Sequence, residues 1–259
     1  MENSSITISI VTVVFNGEDL LEGTFQSVFN QSYPHIEYIV VDGASTDGTL
    51  ALIKENEHRI TRWISEKDEG LYDAMNKGIQ LATGDFIWFM NCGDHIYAPD
   101  TVEKLVEAYT PKTDVLYGEV MLVDEQRAPM GTRSEITPHQ LPAQLSWKSM
   151  ARGMVVSHQA FLPRRRLWIN YAPNNLTADI DWVINILKKS QCTTPSGLIL
   201  ATYLTGGLSK KRHQQSLQDR YAVLKKHFGF FPNLFNHFLI ILRAMYFKIK
   251  RIGKKTYTL

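Results

Sequence analysis

Ser65 to Asp94, SEKDEGLYDAMNKGIQLATGDFIWFMNCGD, is the stretch whose reading decides the fold. Glu66-Lys67-Asp68-Glu69-Gly70 forms a charged turn. Leu71, Ala74, Met75, Gly78, Ile79 and Ala82 then recur at helical spacing, which predicts an amphipathic helix over 71–82. Gly84-Asp85 leads into an apolar strand, Phe86 to Met90, which is left through Asn91-Cys92-Gly93-Asp94. A strand without polar alternation is buried on both faces, as in a parallel sheet. Its tip then lies at a carboxyl end, where open α/β sheets bind ligands. Asp94 is therefore placed to hold a metal ion, and a hard carboxylate oxygen suits Mg2+ or Mn2+.

The flanking chain repeats the pattern. Ile6 to Phe15 (ITISIVTVVF) is β-branched and almost wholly apolar, and it ends in Asn16-Gly17. A helix follows with Leu20, Leu21, Thr24, Phe25 and Val28 on one face. Ile36 to Val41 is a second strand, running into Asp42-Gly43-Ala44-Ser45-Thr46-Asp47-Gly48, small residues that let a backbone approach a ligand. Thr46 or Asp47 caps a helix reaching Glu57, and Ile60 to Ser65 is a third strand. The alternation β-α-β-α-β-α-β predicts a mostly parallel central sheet flanked by helices. Asp42, Asp68, Asp73 and Asp94 gather at one edge of it. Carboxylates there repel one another unless a cation or donor groups join them. Each one alone can equally be a turn cap.

Further on, a helix is expected from Asp100 to Tyr109, with short strands at 115–117 and 120–123 around Gly118. Asp124 to Ser149, with prolines at 129, 138 and 142, reads as a long functional loop. Met154 to Phe161 reads as a strand carrying His158-Gln159, Asp179 to Lys189 as a helix, and Leu198 to Leu204 as a last strand. Helices are expected over 209–227 and 233–250.

The chain has 259 residues, 44% of them hydrophobic and 21% charged, which suits one α/β domain with an appendage. The boundaries expected are 1–207 for the sheet domain and 208–259 for a helical, basic extension. Two cysteines, Cys92 and Cys192, make no disulfide framework and no C-x-x-C site, which suits a reducing compartment. Met1 to Ser5 lacks the basic start and apolar run of a signal peptide, and no run long enough for a membrane span is present. The expected location is cytoplasmic.

VTVVFN, then VVDGASTDGT, then SEKDEGLYDAMNKGIQLATGDFIWFMNCGD, in that order and spacing, resemble family 2 glycosyltransferases of GT-A fold. The similarity is greatest to bacterial enzymes that build exopolysaccharide or O-antigen units. The resemblance implies that Thr12, Val14, Asn16 and Asp42 hold the base and ribose of a nucleotide-diphosphate sugar. Asp68, Gly70, Asp73 and Asn76 would line its nucleotide and diphosphate side. Asp94 matches the last acid of the family's metal signature, although Asn91-Cys92-Gly93-Asp94 keeps only one carboxylate. Asp179 matches the catalytic base, with Ala178 where the family usually has Glu. It would take a proton from an acceptor hydroxyl in an inverting displacement, with Asp181 as a supporting or structural acid. By local sequence alone, Asp179 and Asp181 are equally helix caps. His158 and Gln159 would lie toward the acceptor; a histidine beside a core is also commonly structural.

Two features of the tail stay open. Gly206-Gly207-Leu208-Ser209-Lys210-Lys211-Arg212 can bring amides and cations to phosphates, or simply start a helix. Twelve lysines and arginines follow Tyr203 against one acid, Asp219. Leu234 to Ile249 is apolar over much of its circumference, with Arg243 inside it. That composition suits a helix lying in a membrane interface, at the inner face of the plasma membrane, or one packed on the domain. A lipid-linked saccharide acceptor would give the tail its purpose. Nucleic acid is not expected, for no stacking strands or recognition motif accompany the charge. Two other classes compete: a non-catalytic nucleotide-sugar-binding protein, and a sugar nucleotidyltransferase. The second wants a basic glycine-rich loop after the first strand, where Phe15-Asn16-Gly17-Glu18 stands instead.

Overall fold

The computed structural model describes residues 5–172, 175–205 and 213–256. The expected phosphate contact at 206–212 lies outside them. Four parallel strands, β1 (Ile8–Val14), β2 (Ile36–Asp42), β3 (Arg62–Ser65) and β4 (Phe86–Phe89), form a sheet in the order β3-β2-β1-β4. Helices α1 (Glu18–Phe29), α2 (Thr49–Glu55) and α3 (Leu71–Leu81) make the crossovers. Alternate residues of a strand point to opposite faces. Val11, Val13, Ile39, Val41, Ile87 and Phe89 enter one core, and Ile8, Ile10, Tyr38, Val40, Phe86 and Trp88 enter the other. Both faces are dry, which is why these strands read as unbroken apolar runs. This is the expected α/β architecture.

Helix α3 lies close on the sheet because Gly78 faces β1. A Cβ at Gly78 would run into Cγ1 of Val11. Leu20 and Leu71, expected on the buried faces of α1 and α3, are exposed instead, each at the first turn of its helix. The turn before β3 is a separate 3-10 helix, Glu57–Arg59, so α2 ends earlier than expected.

A second sheet follows, in the order β5-β9-β6-β7 with β8 also on β6. Its strands are β5 (His95–Ile96), β6 (Val115–Val123), β7 (Pro129–Thr132), β8 (Phe161–Pro163) and β9 (Thr193–Leu204). Helix α4 (Thr101–Glu107) precedes β6. A bridge between Phe86 and Arg164 joins the two sheets. Strands β6 and β9 are longer than expected. Gly118 does not divide β6: the register with β9 shifts there, and a Cβ would stand 2.7 Å from the Leu198 carbonyl oxygen. Pro195 and Gly197 likewise sit inside β9 rather than before it. The segment 124–149 is packed structure in part. Asp124 accepts from the amides of Gln126 and Ala128 to turn the β6–β7 hairpin, and a Thr132/Glu135 capping box starts α5 (Arg133–Ile136). His158-Gln159 lies in a 3-10 turn, not a strand, and pairing begins only at Phe161.

Helix α6 (Ala178–Lys189) packs Trp182, Val183, Ile186 and Leu187 inward as expected. Two helices close the chain: α7 (His213–Phe228) and α8 (Phe230–Thr256). Val223 and Leu224 of α7 belong to the same core as α6. Gly229, at φ +84°, makes the turn between α7 and α8.

Gly78→Ala tests how tightly α3 is seated. The substitution should lower stability by about 1–2 kcal/mol despite alanine's better helix propensity. Adding Val11→Ala, which clears the space, should cost less than the two single changes summed. Urea unfolding of the four proteins reads this directly.

Candidate active site

The register brings three strand ends level: Val14 stands opposite Asp42, and Asp42 opposite Ser65. Asp42 is fully buried there, accepting from the Ser45 hydroxyl (2.5 Å), the Ser65 hydroxyl (2.6 Å) and the Ser45 amide (3.1 Å). Asn16 and Ala44, at φ +49° and +60°, hold left-handed conformations uncommon outside glycine. Such outliers gather where a loop is shaped for a ligand. Asn16 Oδ1 accepts from the Thr46 amide (2.8 Å), and the Asn16 amide donates to Ser45 Oγ (2.7 Å), so the first two tips are stitched together. A Cβ at Gly43 would stand 2.5 Å from Asp68 Oδ2 and 3.3 Å from the Phe15 ring. The third tip therefore closes on the other two. Asp68 accepts from the Gly70 amide and Asp73 from the Glu69 amide, which shapes the turn before α3. Phe15 is 63% exposed at this rim, an aromatic face open to a planar group.

Three expected donor contacts belong to the framework instead. Thr12 is fully buried, and its hydroxyl bonds Tyr38 and the Met90 carbonyl. The Val14 side chain is buried in the core. Asn76 is locked to Tyr171, donating to its carbonyl (3.1 Å) and accepting from its amide (2.7 Å).

Asp94 sits between β4 and β5, where the sheets meet. Oδ2 accepts from Gln159 Nε2 (2.9 Å) and Oδ1 from the Leu204 amide (3.3 Å). Burial pushes its carboxyl up to about 7, against the pull of those donors and of Arg127. Arg127 donates to the Gly93 carbonyl (2.5 Å). His158 lies 3.4 Å from Asn91 Nδ2, and burial drives its imidazole down to about 4. A neutral His158 accepts from that amide and so fixes the rotamer of Asn91. Asn91 Oδ1 is left buried without a donor. His158 and Gln159 thus act on Asn91 and Asp94 rather than on open space.

Among the described residues no three His, Cys, Asp or Glu side chains come together. A cation held wholly by protein is not built here. The donor set fits a hard ion of another kind: one carboxylate, Asp94, and the orphaned amide oxygen of Asn91, with the remaining positions left to a ligand's phosphates and water.

Asp179, in the first turn of α6, accepts from the Ile180 amide (2.9 Å); the Tyr72 hydroxyl, which donates to the Leu176 carbonyl (3.3 Å), lies close enough to act on it. Burial raises its carboxyl to about 6, partly offset by these groups and by Arg133. Burial raises the Tyr203 phenol too, and the charges of both Asp94 and Asp179 raise it further. Both carboxylates thus act electrostatically on Tyr203 of β9, with Arg127 acting on Asp94 and Arg133 on Asp179. Tyr72, Arg127, Arg133 and Tyr203 were not singled out in the sequence. Only Arg133 had a local signal, the capping box Thr132-Arg133-Ser134-Glu135 that starts its helix.

Asp181 points elsewhere. It is bonded to His227 Nε2 (2.6 Å) and Lys226 Nζ (3.0 Å) of α7. His227 also accepts from Lys188 (2.9 Å), so the clasp ties α6 to α7 at two points. It is a structural acid, not an acceptor contact.

The model of Glycosyl transferase family 2 matches residues 9–170. The chain belongs to glycosyl transferase family 2. An uncharacterized glycosyltransferase of Mycobacterium tuberculosis, Rv1514c, is 38% identical over 164 residues, 61% of this chain and 58% of that one. The chain thus spans less than two thirds of that relative. A PGL/p-HBAD biosynthesis glycosyltransferase of Mycobacterium bovis is 29% identical over 213 residues, 78% of each chain. Two solved structures share the GT-A fold. TarS of S. aureus, crystallised with UDP-GlcNAc, has a TM-score of 0.67 at 18% identity, over 84% of this chain and 64% of that one. The mannosyltransferase PcManGT of Pyrobaculum calidifontis, with GDP-Man and Mn2+, has a TM-score of 0.68 at 15% identity, over 99% and 77%. In this family 2 chain the level strand tips and Asp94 fall within the matched residues, whereas Asp179 and Tyr203 lie beyond them.

The Asp181 clasp has a pH signature. The His227 hydrogen bond, with Lys226, holds the Asp181 carboxyl below its usual range. A lowered pKa contributes stability above the unfolded value, and that contribution is lost as pH falls through it. Asp181→Asn should cost about 1–2 kcal/mol at pH 7, with the cost shrinking below roughly pH 4. Denaturant midpoints of both proteins across that range check it.

Proposed function

We propose that this protein is an inverting glycosyltransferase. It moves a sugar from a nucleotide-diphosphate sugar to a lipid-linked saccharide in the building of a bacterial surface polysaccharide or glycolipid. The observation that carries this reading is a pair of carboxylates raised by burial, Asp94 at the strand tips and Asp179 at a helix start, both within electrostatic reach of Tyr203. The relatives' names and the nucleotide sugars in the two solved structures support it.

The rim built by Phe15, Asn16, Asp42, Asp68 and Gly70 takes the base and ribose. Asp73 supports that rim through the Glu69 amide. Asp94 and Asn91 would hold Mg2+ or Mn2+, which when bound neutralises charge on the leaving diphosphate. Gln159 and His158 keep those two side chains aimed. Asp179 accepts the proton of the acceptor hydroxyl as its oxygen attacks the anomeric carbon. The bond from that carbon to the diphosphate breaks on the opposite face, so configuration inverts and no sugar becomes attached to the enzyme. A carboxyl raised to about 6 is a stronger base than an ordinary aspartate and is still ionised near neutral pH. Tyr72 orients it.

No described helix is long and apolar enough to cross a membrane. Helix α8 nevertheless exposes Phe231 by 79%, Tyr246 by 68% and Ile249 by 66%. Residues 208–259 form the extension that lays this face on the inner surface of the plasma membrane, with 1–207 as the catalytic domain. Ala178, where the family usually has Glu, favours a second reading, a nucleotide-sugar-binding protein without turnover.

A donor screen by thermal shift comes first. UDP-, GDP- and dTDP-sugars are each added with and without Mn2+. Ligand at about 100 times its dissociation constant adds roughly 2.7 kcal/mol. One nucleotide class should raise the midpoint in a metal-dependent way, and Asp94→Ala should abolish the effect. A folded sample that responds to none of them refutes the transferase reading.

Asp179→Asn separates turnover from binding. It should keep the donor shift and lower kcat by about 10²–10⁴-fold. Because the carboxylate is the active form, wild-type kcat/KM should fall as pH drops through about 6. Unchanged turnover in the variant would remove Asp179 from the mechanism.

A further inference from the structure

Away from the donor rim, one histidine is in contact with one arginine and within electrostatic reach of two more, from three elements in all. Arg133 starts α5, Arg220 lies on α7 and Arg243 on α8. Burial, then the charges of Arg133, Arg243 and Arg220, push the His139 imidazole down to about 3. Arg243 stands 3.3 Å from His139 Nδ1 and donates to the Arg152 carbonyl (3.0 Å), and Arg133 donates to the Met154 carbonyl. All three guanidinium groups are partly buried, and burial lowers the pKa of each. Among the described residues, no ion pair joins any of them to a carboxylate. The Nε atoms of Arg220 and Arg243 are buried with no acceptor. Two acids lie within electrostatic reach, Glu119 and Asp179, both of Arg133. Glu119 is turned to the Ser134 hydroxyl and amide, and Asp179 is the proposed base. Buried cations short of partners are costly unless an anion completes them. Guanidinium forks match phosphate oxygens.

The surroundings say what kind of anion. A cleft of about 460 Å³ opens at Arg243, lined also by Gln140, Tyr246 and Lys250. Glu135 is at its edge, with Oε2 engaged by Thr132. From this cleft the exposed apolar face of α8 continues through Leu242, Met245 and Ile249. A cationic pocket leading onto an apolar helix face fits a molecule with a phosphorylated head and a hydrocarbon tail.

We propose that Arg133, Arg220 and Arg243 form a second anion site, which holds the phosphate or diphosphate head of the lipid-linked acceptor while its hydrocarbon leaves along α8. This rests on the transferase reading above. Arg133 acts electrostatically on both His139 and Asp179.

The test uses the full chain and two soluble probes, farnesyl diphosphate below its micelle concentration and inorganic pyrophosphate, titrated by calorimetry. Wild type should bind farnesyl diphosphate, with pyrophosphate weaker. Arg220→Gln/Arg243→Gln should bind it at least about tenfold more weakly, as expected for losing charge-assisted hydrogen bonds. The nucleotide-sugar thermal shift of that variant should be unchanged. In wild-type protein, farnesyl diphosphate should also protect Arg220 and Arg243 from phenylglyoxal, read by peptide mass spectrometry, a measurement that stands if the variant does not fold. Equal affinity in both proteins, absence of protection, or displacement of the probe by nucleotide sugar overturns the site. Binding confined to phosphatidylglycerol vesicles, with none to farnesyl diphosphate, overturns it in favour of a general membrane charge. Failure of every nucleotide sugar to bind would instead refute the transferase reading, and the probe titration would still decide the anion site by itself.

Discussion

A carboxylate buried at the seam of two sheets is the constraint on which this structure depends. Asp94 is only 6% exposed, and an isolated charge there would be expensive. Its offsetting partners come from distant parts of the chain. Gln159 arrives on the turn before β8, the Leu204 amide at the end of β9, and Arg127 on the β6–β7 hairpin. Thr24 of α1 holds the loop from behind, accepting from the Gly93 amide and donating to the Asp94 carbonyl. The strand-and-turn unit of the first half is therefore incomplete without the second sheet. Burial still wins in part and pushes the carboxyl up to about 7. The site is left receptive to positive charge, and the orphaned oxygen of Asn91 points the same way.

Legibility along the chain follows the same division. Strands β1, β2 and β4 are buried on both faces, so local composition alone reveals them. The level tips follow from the parallel register, and the acids at them could be located without coordinates. What could not be read depends on partners far away in sequence. Gly118 looks like a break but is where β6 shifts register against β9. Prolines and weak periodicity hid β7 and α5, which are held by a hairpin turn and a capping box. The family resemblance makes Thr12 and Asn76 look like ligand contacts. Their polar atoms are taken by Tyr38, Met90 and Tyr171. Tyr203 has no local signal, because its electrostatic closeness to Asp94 and Asp179 comes from strand β9, far away in sequence from Asp94.

Asp179 and Asp181 show how helical geometry separates two like residues. Positions two apart on a helix lie on nearly opposite sides. One acid therefore lies on the side of Tyr72, and the other faces α7 with Lys226 and His227. Their electrostatics diverge accordingly. Burial raises the first, and hydrogen bonds and cations lower the second. The excess of cations in the tail is likewise not uniform: Lys226 is spent on Asp181, whereas Arg220 and Arg243 are held near His139 without a carboxylate.

The clasp at Asp181 also bears on how such chains can be recombined. Helix α7 supplies both side-chain partners of a carboxylate two residues from Asp179, and Phe228 stacks on Trp147 at 5.4 Å. Cutting the chain before α7 would strip these from α6 and leave Asp181 and Trp147 uncovered. The tail is thus not a module to be exchanged freely between relatives. A fusion that brings in a foreign C-terminal helix must also bring a partner for Asp181, or replace that aspartate. Swaps of C-terminal segments in this chain carry a stability requirement on the helix that holds the proposed base.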